Sequence, residues 1–218
     1  MADTAFVYLH GFASGPQSSK ARFFRERFAE LGVPLETPDL NEGEGDFRGL
    51  TLSRSVRQVR EILDRQDAKR AVVLGSSLGG YTAALVGMND PRVQAQVLLC
   101  PAFDLPARWN TWLGDDAIAA WRKTREIEVD HHARGRKEKL GFGLYLDAMG
   151  HSPYPPARVP TLVLHGVNDT EVPVGTSRKF AMGAPTVRLV EYESDHALLD
   201  VLDPIWQETR AFLAPWLP

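Results

Sequence analysis

Cysteine is nearly missing from this chain: Cys100 is the only one among 218 residues. One thiol cannot close an internal disulfide, which suits a reducing compartment. Cys100 itself, between VQAQVLL and Pro101, is expected at a buried strand end, where free cysteines commonly sit. Long apolar runs are missing too, and no window reaches the ~20 residues that a membrane-crossing helix needs. The opening MADTAFVYLHGF has no basic segment ahead of a long apolar one, so no signal peptide and a cytoplasmic location are expected. Charge of one sign is a third absence. The formal net charge is −3, with basic residues scattered among acids, which argues against nucleic acid or an acidic membrane surface as partner. The densest basic cluster, RGRKEK at 134–139, reads as a solvated face.

What is present is ordinarily globular: 44% hydrophobic and 24% charged residues, with no low-complexity tract and enough length for one domain with a substantial core. Short apolar runs recur at AFVYL (5–9), AVVLG (71–75), VQAQVLLC (93–100), TLVLH (161–165) and VRLVEY (187–192). Continuous rather than alternating hydrophobicity suits strands buried on both faces of a parallel sheet. PLETPDL (34–40) predicts a weaker strand toward an edge, where prolines are tolerated. Between these runs, SSKARFFRERFAELG (18–32) and LSRSVRQVREILDRQ (52–66) carry apolar residues at helical spacing, the first stopping at Gly32. The order predicts an α/β fold: an open, mostly parallel sheet with helices on both faces.

Residues 102–152 break the alternation and exceed a single crossover helix. They carry Trp109, Trp112, Trp121, the pair His131 and His132, and GFGLYLDAMG. Long excursions in compact domains usually serve function, so this segment is expected to be a helical lid over the carboxyl edge of the sheet, its three tryptophans facing substrate. The plainer alternative is a surface excursion whose tryptophans pack on the body.

VVLGSSLGGYTAALVGM (72–88) holds two adjacent serines after a strand and before a helix. A strand turning sharply into a helix strains the turn residue and needs small neighbours, which is the origin of Gly-x-Ser-x-Gly. Centred on Ser77 the pattern reads Gly75-Ser76-Ser77-Leu78-Gly79; centred on Ser76 the flanks become Leu74 and Leu78, and it fails. Ser77 is therefore the candidate nucleophile, and Ser76 a small residue of the turn.

A serine hydroxyl needs a base. His196, in ESDHALLD beyond the last strand, is the candidate; His10 and His165 precede glycines at strand ends and are expected to shape loops. The base needs a carboxylate to fix its tautomer. Asp169, in LHGVNDTEVP, follows a strand; Glu171 is its rival, and Asp195 is disfavoured because side chains of neighbouring residues diverge. Donors for an oxyanion are expected from the backbone N–H groups of Leu78 and of Phe12 in HGFASGP (10–16). That loop fits neither GxGxxG nor GxxxxGK[ST], which disfavours a phosphate-binding role. Adjacent His131 and His132 do not converge on one ion in a helix or strand, and no zinc-type cluster is evident.

YLHGF (8–12), GSSLGG (75–80), HGVNDTEVP (165–173) and SDHALL (194–199) together resemble the α/β-hydrolase superfamily over essentially the whole chain. YLHGFASGPQSSKA with LGSSLGGYTAA further resembles the compact YqiA-like esterases, which begin at the strand bearing the HG loop and lack the two leading strands of larger relatives. The resemblance implies hydrolysis of small-molecule carboxylic esters through an acyl-enzyme, without cofactor or metal, the aromatic lid favouring apolar acyl or aryl groups. Thioesterase, amidase or peptidase chemistry on the same residues remains open at this point, as does a non-catalytic ligand-binding protein. The sequence carries no sign of oligomeric state.

Overall fold

The computed structural model describes residues 4–218. Strands run β1 Thr4–Leu9, β2 Arg70–Ser76, β3 Val93–Leu99, β4 Glu126–His131, β5 Arg136–Gly141, β6 Thr161–Gly166 and β7 Val187–Tyr192. Helices run α1 Ser19–Glu30, α2 Leu52–Arg65, α3 Leu78–Asn89, α4 Leu105–Leu113, α5 Asp115–Thr124, α6 Gly143–Met149, α7 Gly175–Ala181 and α8 Leu202–Leu213. Five strands form one sheet in the order β1-β2-β3-β6-β7, every pair parallel. The five predicted runs are these five strands.

Alternate residues of each strand feed opposite layers, because successive side chains of a strand point to opposite faces. Phe6, Tyr8, Val72, Leu74, Val97 and Leu164 pack with Phe24 and Phe28 of α1 and Trp206 of α8. Val7, Leu9, Val73, Leu98 and Val163 pack on the other side with Val59 and Leu63 of α2 and with α3. Residues 78–87 of α3 are buried on every side, as a helix apolar all round must be. Ser18 and Thr51 cap α1 and α2 through side-chain acceptors.

Two expectations change. The strand expected at 34–40 shrinks to a single parallel bridge, Val7 with Glu36, made by Tyr8 N to Glu36 O (2.8 Å) and Glu36 N to Phe6 O (2.9 Å). Pro34 and Pro38 flank the bridge and lack the N–H groups that would extend it. The insertion at 102–152, expected to be helical, also contains the antiparallel hairpin β4–β5. Its sequence signal is the period-two alternation of Ile127, Val129 and His131 with Glu126, Glu128 and Asp130, turned at Gly135 with φ 60°. RGRKEK is a solvated face, tied by Arg134 to Asp46 (2.7 Å), Arg136 to Glu138 (2.7 Å) and Lys139 to Glu126 (2.5 Å).

The insertion leaves the carboxyl end of β3, and its helix α4 meets the loops at that edge. Trp109 of α4 lies 5.9 Å from Phe12 between ring centroids, and Arg108 donates to the Glu171 carbonyl. Among the described residues no helix is long and apolar enough to cross a membrane.

Candidate active site

The turn from β2 into α3 places Ser77 at φ 54°, ψ −117°, a region that L-residues rarely occupy. Tight packing enforces it. A Cβ on Gly75 would lie 2.2 Å from the Gly79 carbonyl oxygen, and one on Gly79 would lie 2.2 Å from that of Leu9. The elbow is braced by Ser77 N donating to Leu99 O (2.9 Å) and by Ser77 O accepting from Tyr81 N and Ala102 N (3.0 Å each). Ser76 is buried at 3% exposure, whereas Ser77 is half-buried at the edge. The backbone thus presents the second serine of the pair and hides the first.

Leu78 opens α3, so its N–H belongs to a first turn that has no partner within the helix. Gly11 approaches the elbow closely enough that a Cβ there would lie 3.3 Å from Ser77 Cβ. Phe12 follows it. His10 shapes this loop as expected: its Nδ1 donates to Gly11 O (2.8 Å), and its Nε2 accepts from Leu40 N (2.9 Å).

Asp169 follows β6 and His196 follows β7. Their loops are laced by Val167 N to Tyr192 O (2.9 Å) and Asn168 N to Ser194 O (3.0 Å). His196 Nδ1 lies 2.6 Å from Asp169 Oδ2, and Oδ1 accepts from the amides of Glu171 (2.9 Å) and Val172 (2.7 Å). Burial opposes ionisation of Asp169, but hydrogen bonding from His165 and His196 with the His196 charge and the Val172 amide outweighs it, holding the carboxyl well below the usual range. Glu171 does not take that position. Its exposed carboxylate lies 3.6 Å from His196 Nε2, on the ring's other side. Asp195 turns away to accept from the amides of Ala197 (2.8 Å) and Leu198 (3.2 Å).

The hydrogen bonds of the described residues join Asp169 to His196 and do not extend from His196 to Ser77. Contacts of that kind often tighten only when substrate is bound. The three tryptophans divide. Trp109 adjoins Phe12; Trp121 is 1% exposed and donates its Nε1–H to Leu140 O (3.1 Å) inside the insertion; Trp112 is 74% exposed. Only Trp109 borders the candidate oxyanion loop.

Sequence reasoning missed three supports. Lys20 of α1 reaches across to the carbonyls of Ala197 (2.7 Å) and His196 (3.3 Å); burial lowers its pKa, and nearby carboxylates oppose that shift. Arg108 bridges α4 to the Asp169 loop, and burial lowers its pKa as well. His165 packs against Asp169. Lys20 and Arg108 are signalled by no motif, because sequence separation hides their contacts; His165 stands four residues before Asp169 in HGVNDTEVP, where only a loop-shaping role is expected. Cys100, His165 and Asp169 bring possible ligand atoms within 4.8 Å of one another. His165 and Asp169 are already engaged with Val172, Glu171 and His196, so the cluster is a filled hydrogen-bond network rather than a coordination sphere.

Comparison with known proteins gives a consistent picture. The chain is 30% identical over 206 residues to a Mycobacterium phage D29 protein named "Putative non-heme haloperoxidase", covering 77% of this chain and 72% of that one. The mouse α/β-hydrolase domain-containing protein 10 superposes with a TM-score of 0.81 at 20% identity, over 97% of this chain and 90% of its own. Est1E from Butyrivibrio proteoclasticus, in a structure with ferulic acid bound, superposes at 0.80 with 22% identity, over 98% and 90%. At such identities the structural likeness is one of fold. Residues 5–213, from the first strand to the end of α8, match the family described as "Uncharacterised protein family (UPF0227)", and the chain belongs to that family and has the fold of the α/β hydrolases.

Proposed function

We propose that the protein is a serine hydrolase that cleaves carboxylic esters of small to medium apolar acyl or aryl groups. The observation that carries the reading is Ser77 itself: a half-buried hydroxyl held at positive φ on a strand-to-helix turn, at the sheet edge that also bears the Asp169–His196 pair. Strain of this kind persists only where the surroundings enforce it, and it clusters at reactive positions.

In the proposed reaction His196 Nε2 takes the Ser77 proton as Oγ attacks the ester carbonyl. Asp169 holds Nδ1–H and stabilises the imidazolium, which its ionised state suits. The amides of Leu78 and Phe12 stabilise the oxyanion. His196 then protonates the leaving alcohol, and water activated by the same ring releases the acid. Phe12, partly exposed and backed by the buried rings of Phe47 and Trp109, gives the loop an apolar side chain, which favours apolar over charged groups. Est1E, a structural neighbour holding an aromatic acid, is in keeping with this preference.

The test follows hydrolysis of short- and medium-chain p-nitrophenyl esters by the intact protein, Ser77→Ala and Ser76→Ala. Ser77→Ala is expected to lower kcat by at least about 10³-fold while folding normally. Ser76→Ala is expected to retain most activity, and a fluorophosphonate probe should label the intact protein at Ser77. Activity surviving in Ser77→Ala overturns the assignment. An intact protein that neither turns over esters nor takes the probe overturns the hydrolase reading in favour of a binding role.

A further inference from the structure

Asp169 contacts two histidines. Besides His196, the side chain of His165 lies with Nε2 3.2 Å from Asp169 Oδ2, and both side chains are fully buried. The stronger partner of that Nε2 is the carbonyl of Val172, at 2.8 Å. Carbonyl and ionised carboxylate oxygens only accept, so Nε2 must carry the proton. At the other side of the ring, Nδ1 lies 2.7 Å from the hydroxyl of Ser177, a buried residue of α7. A neutral ring protonated at Nε2 needs a donor at Nδ1, and the Ser177 hydroxyl supplies it. The Ser177 hydroxyl thereby complements the tautomer that Val172 and Asp169 impose.

The effect on Asp169 is double. Val172 uses its carbonyl to accept from His165 and its N–H, at 2.7 Å, to hold Asp169 Oδ1. The same ring thus pins the residue whose amide grips one carboxylate oxygen and lies against the other oxygen, the one that His196 uses. The remaining neighbours leave the ring nitrogens to these partners. Cys100 is buried beside the ring, and Glu191, opposite His165 on β7, is taken by Arg178 at 2.6 Å.

We infer that His165, held on its other side by Ser177, is a positioning residue for the base, clamping the Asp169 carboxylate in the geometry that orients His196. This rests on the proposed triad; Ser177-His165-Asp169-His196 then forms one chain running from α7 to the reacting edge.

The test replaces His165 by Phe, which keeps a ring and removes the donor, and by Gln, whose amide can restore a donor near the Nε2 position. For His165→Phe, kcat on p-nitrophenyl esters is expected to fall about 10- to 100-fold with KM nearly unchanged, as misorientation of a base requires. The acidic limb of kcat/KM should move to higher pH, because Asp169 with one donor fewer binds the His196 imidazolium more tightly. His165→Gln should recover most of both effects. Ser177→Ala should give a smaller loss in the same direction, reversed by Ser177→Thr, and it carries the test if His165→Phe does not fold. The low-field NMR resonance of His196 Nδ1–H, read in a Ser77→Ala background, reports the clamp without turnover. Its shift on losing His165 or Ser177 supports the inference even if Ser77 proves not to be the nucleophile. Folded variants that keep the wild-type resonance and pH profile overturn it, leaving the proposed triad untouched.

Discussion

The sheet body and the insertion at 102–152 are held by different physics. In the body, the candidate chemistry stands on backbone: glycines packed against carbonyl oxygens at the β2–α3 elbow, and two loops laced together beyond β6 and β7. In the insertion, packed rings form the interior, with Trp109, Trp121, Phe142 and Tyr145 within 5.0 to 6.2 Å of one another in successive pairs, and exposed ion pairs dress the hairpin outside. A Cβ added at Gly75 or Gly79 would meet a carbonyl oxygen at 2.2 Å, which leaves no room to adapt, whereas packed rings and solvated charges leave a good deal. The difference teaches that the elbow should fail abruptly on small changes and the insertion gradually on large ones.

The sharpest way to break that contrast is Gly79→Ala. One methyl group would have to occupy space 2.2 Å from the Leu9 carbonyl oxygen and 2.5 Å from that of His10. The expected cost is about 4 kcal/mol or more, the range reserved for disrupted cores, with a large fall in Tm. A Gly79→Ala protein melting like the parent would contradict the rigid elbow.

Trp121→Ala removes far more volume but from the insertion. Truncating a buried tryptophan costs about 3–5 kcal/mol. Here the loss should appear locally, as faster amide hydrogen exchange in α5 and the hairpin with β2 and β3 still protected. Uniform loss of protection across both regions would show that the two are one cooperative unit.

The smallest effect concerns His131. Its ring is 1% exposed, stacks edge-on against Phe47 at 4.6 Å, and neither ring nitrogen has a partner among the described residues. Burial and then Arg134 push its pKa below the ordinary His value, with Glu138 and Asp39 pulling the other way. The docked hairpin accordingly binds fewer protons than the free one, so its stability is full at pH 8 and falls as pH drops through the unperturbed His range, ~6.5. Hairpin exchange, measured at pH 8 and pH 5, should accelerate at the lower pH, and His131→Phe should remove that dependence. Equal acceleration in β2 and β3 would place the pH sensitivity outside the hairpin.

Much of the candidate site was legible in the chain because it depends on local rules. The choice of Ser77 over Ser76 follows from glycine spacing alone, and the choice of Asp169 over Asp195 follows from the divergence of adjacent side chains; both serines and both acids sit as those rules require. The β4–β5 hairpin was readable in principle from its alternation, yet charged residues on its outer face masked the strands. The roles of the tryptophans were not readable, because apolar rings carry no mark of which partner they will meet. Trp121 turned inward, Trp109 toward Phe12 and Trp112 to solvent.

By itself the sequence determined the order of strands and helices, the sharp turn at Ser77 and the loops that end at Asp169 and His196, since periodicity and glycine sterics act over a few residues. The tertiary structure decided which groups meet across long separations: Lys20 with the His196 loop and Arg108 with Glu171. Those contacts arise only when parallel strands set distant loops side by side at one edge of the sheet, and no local rule encodes that neighbourhood.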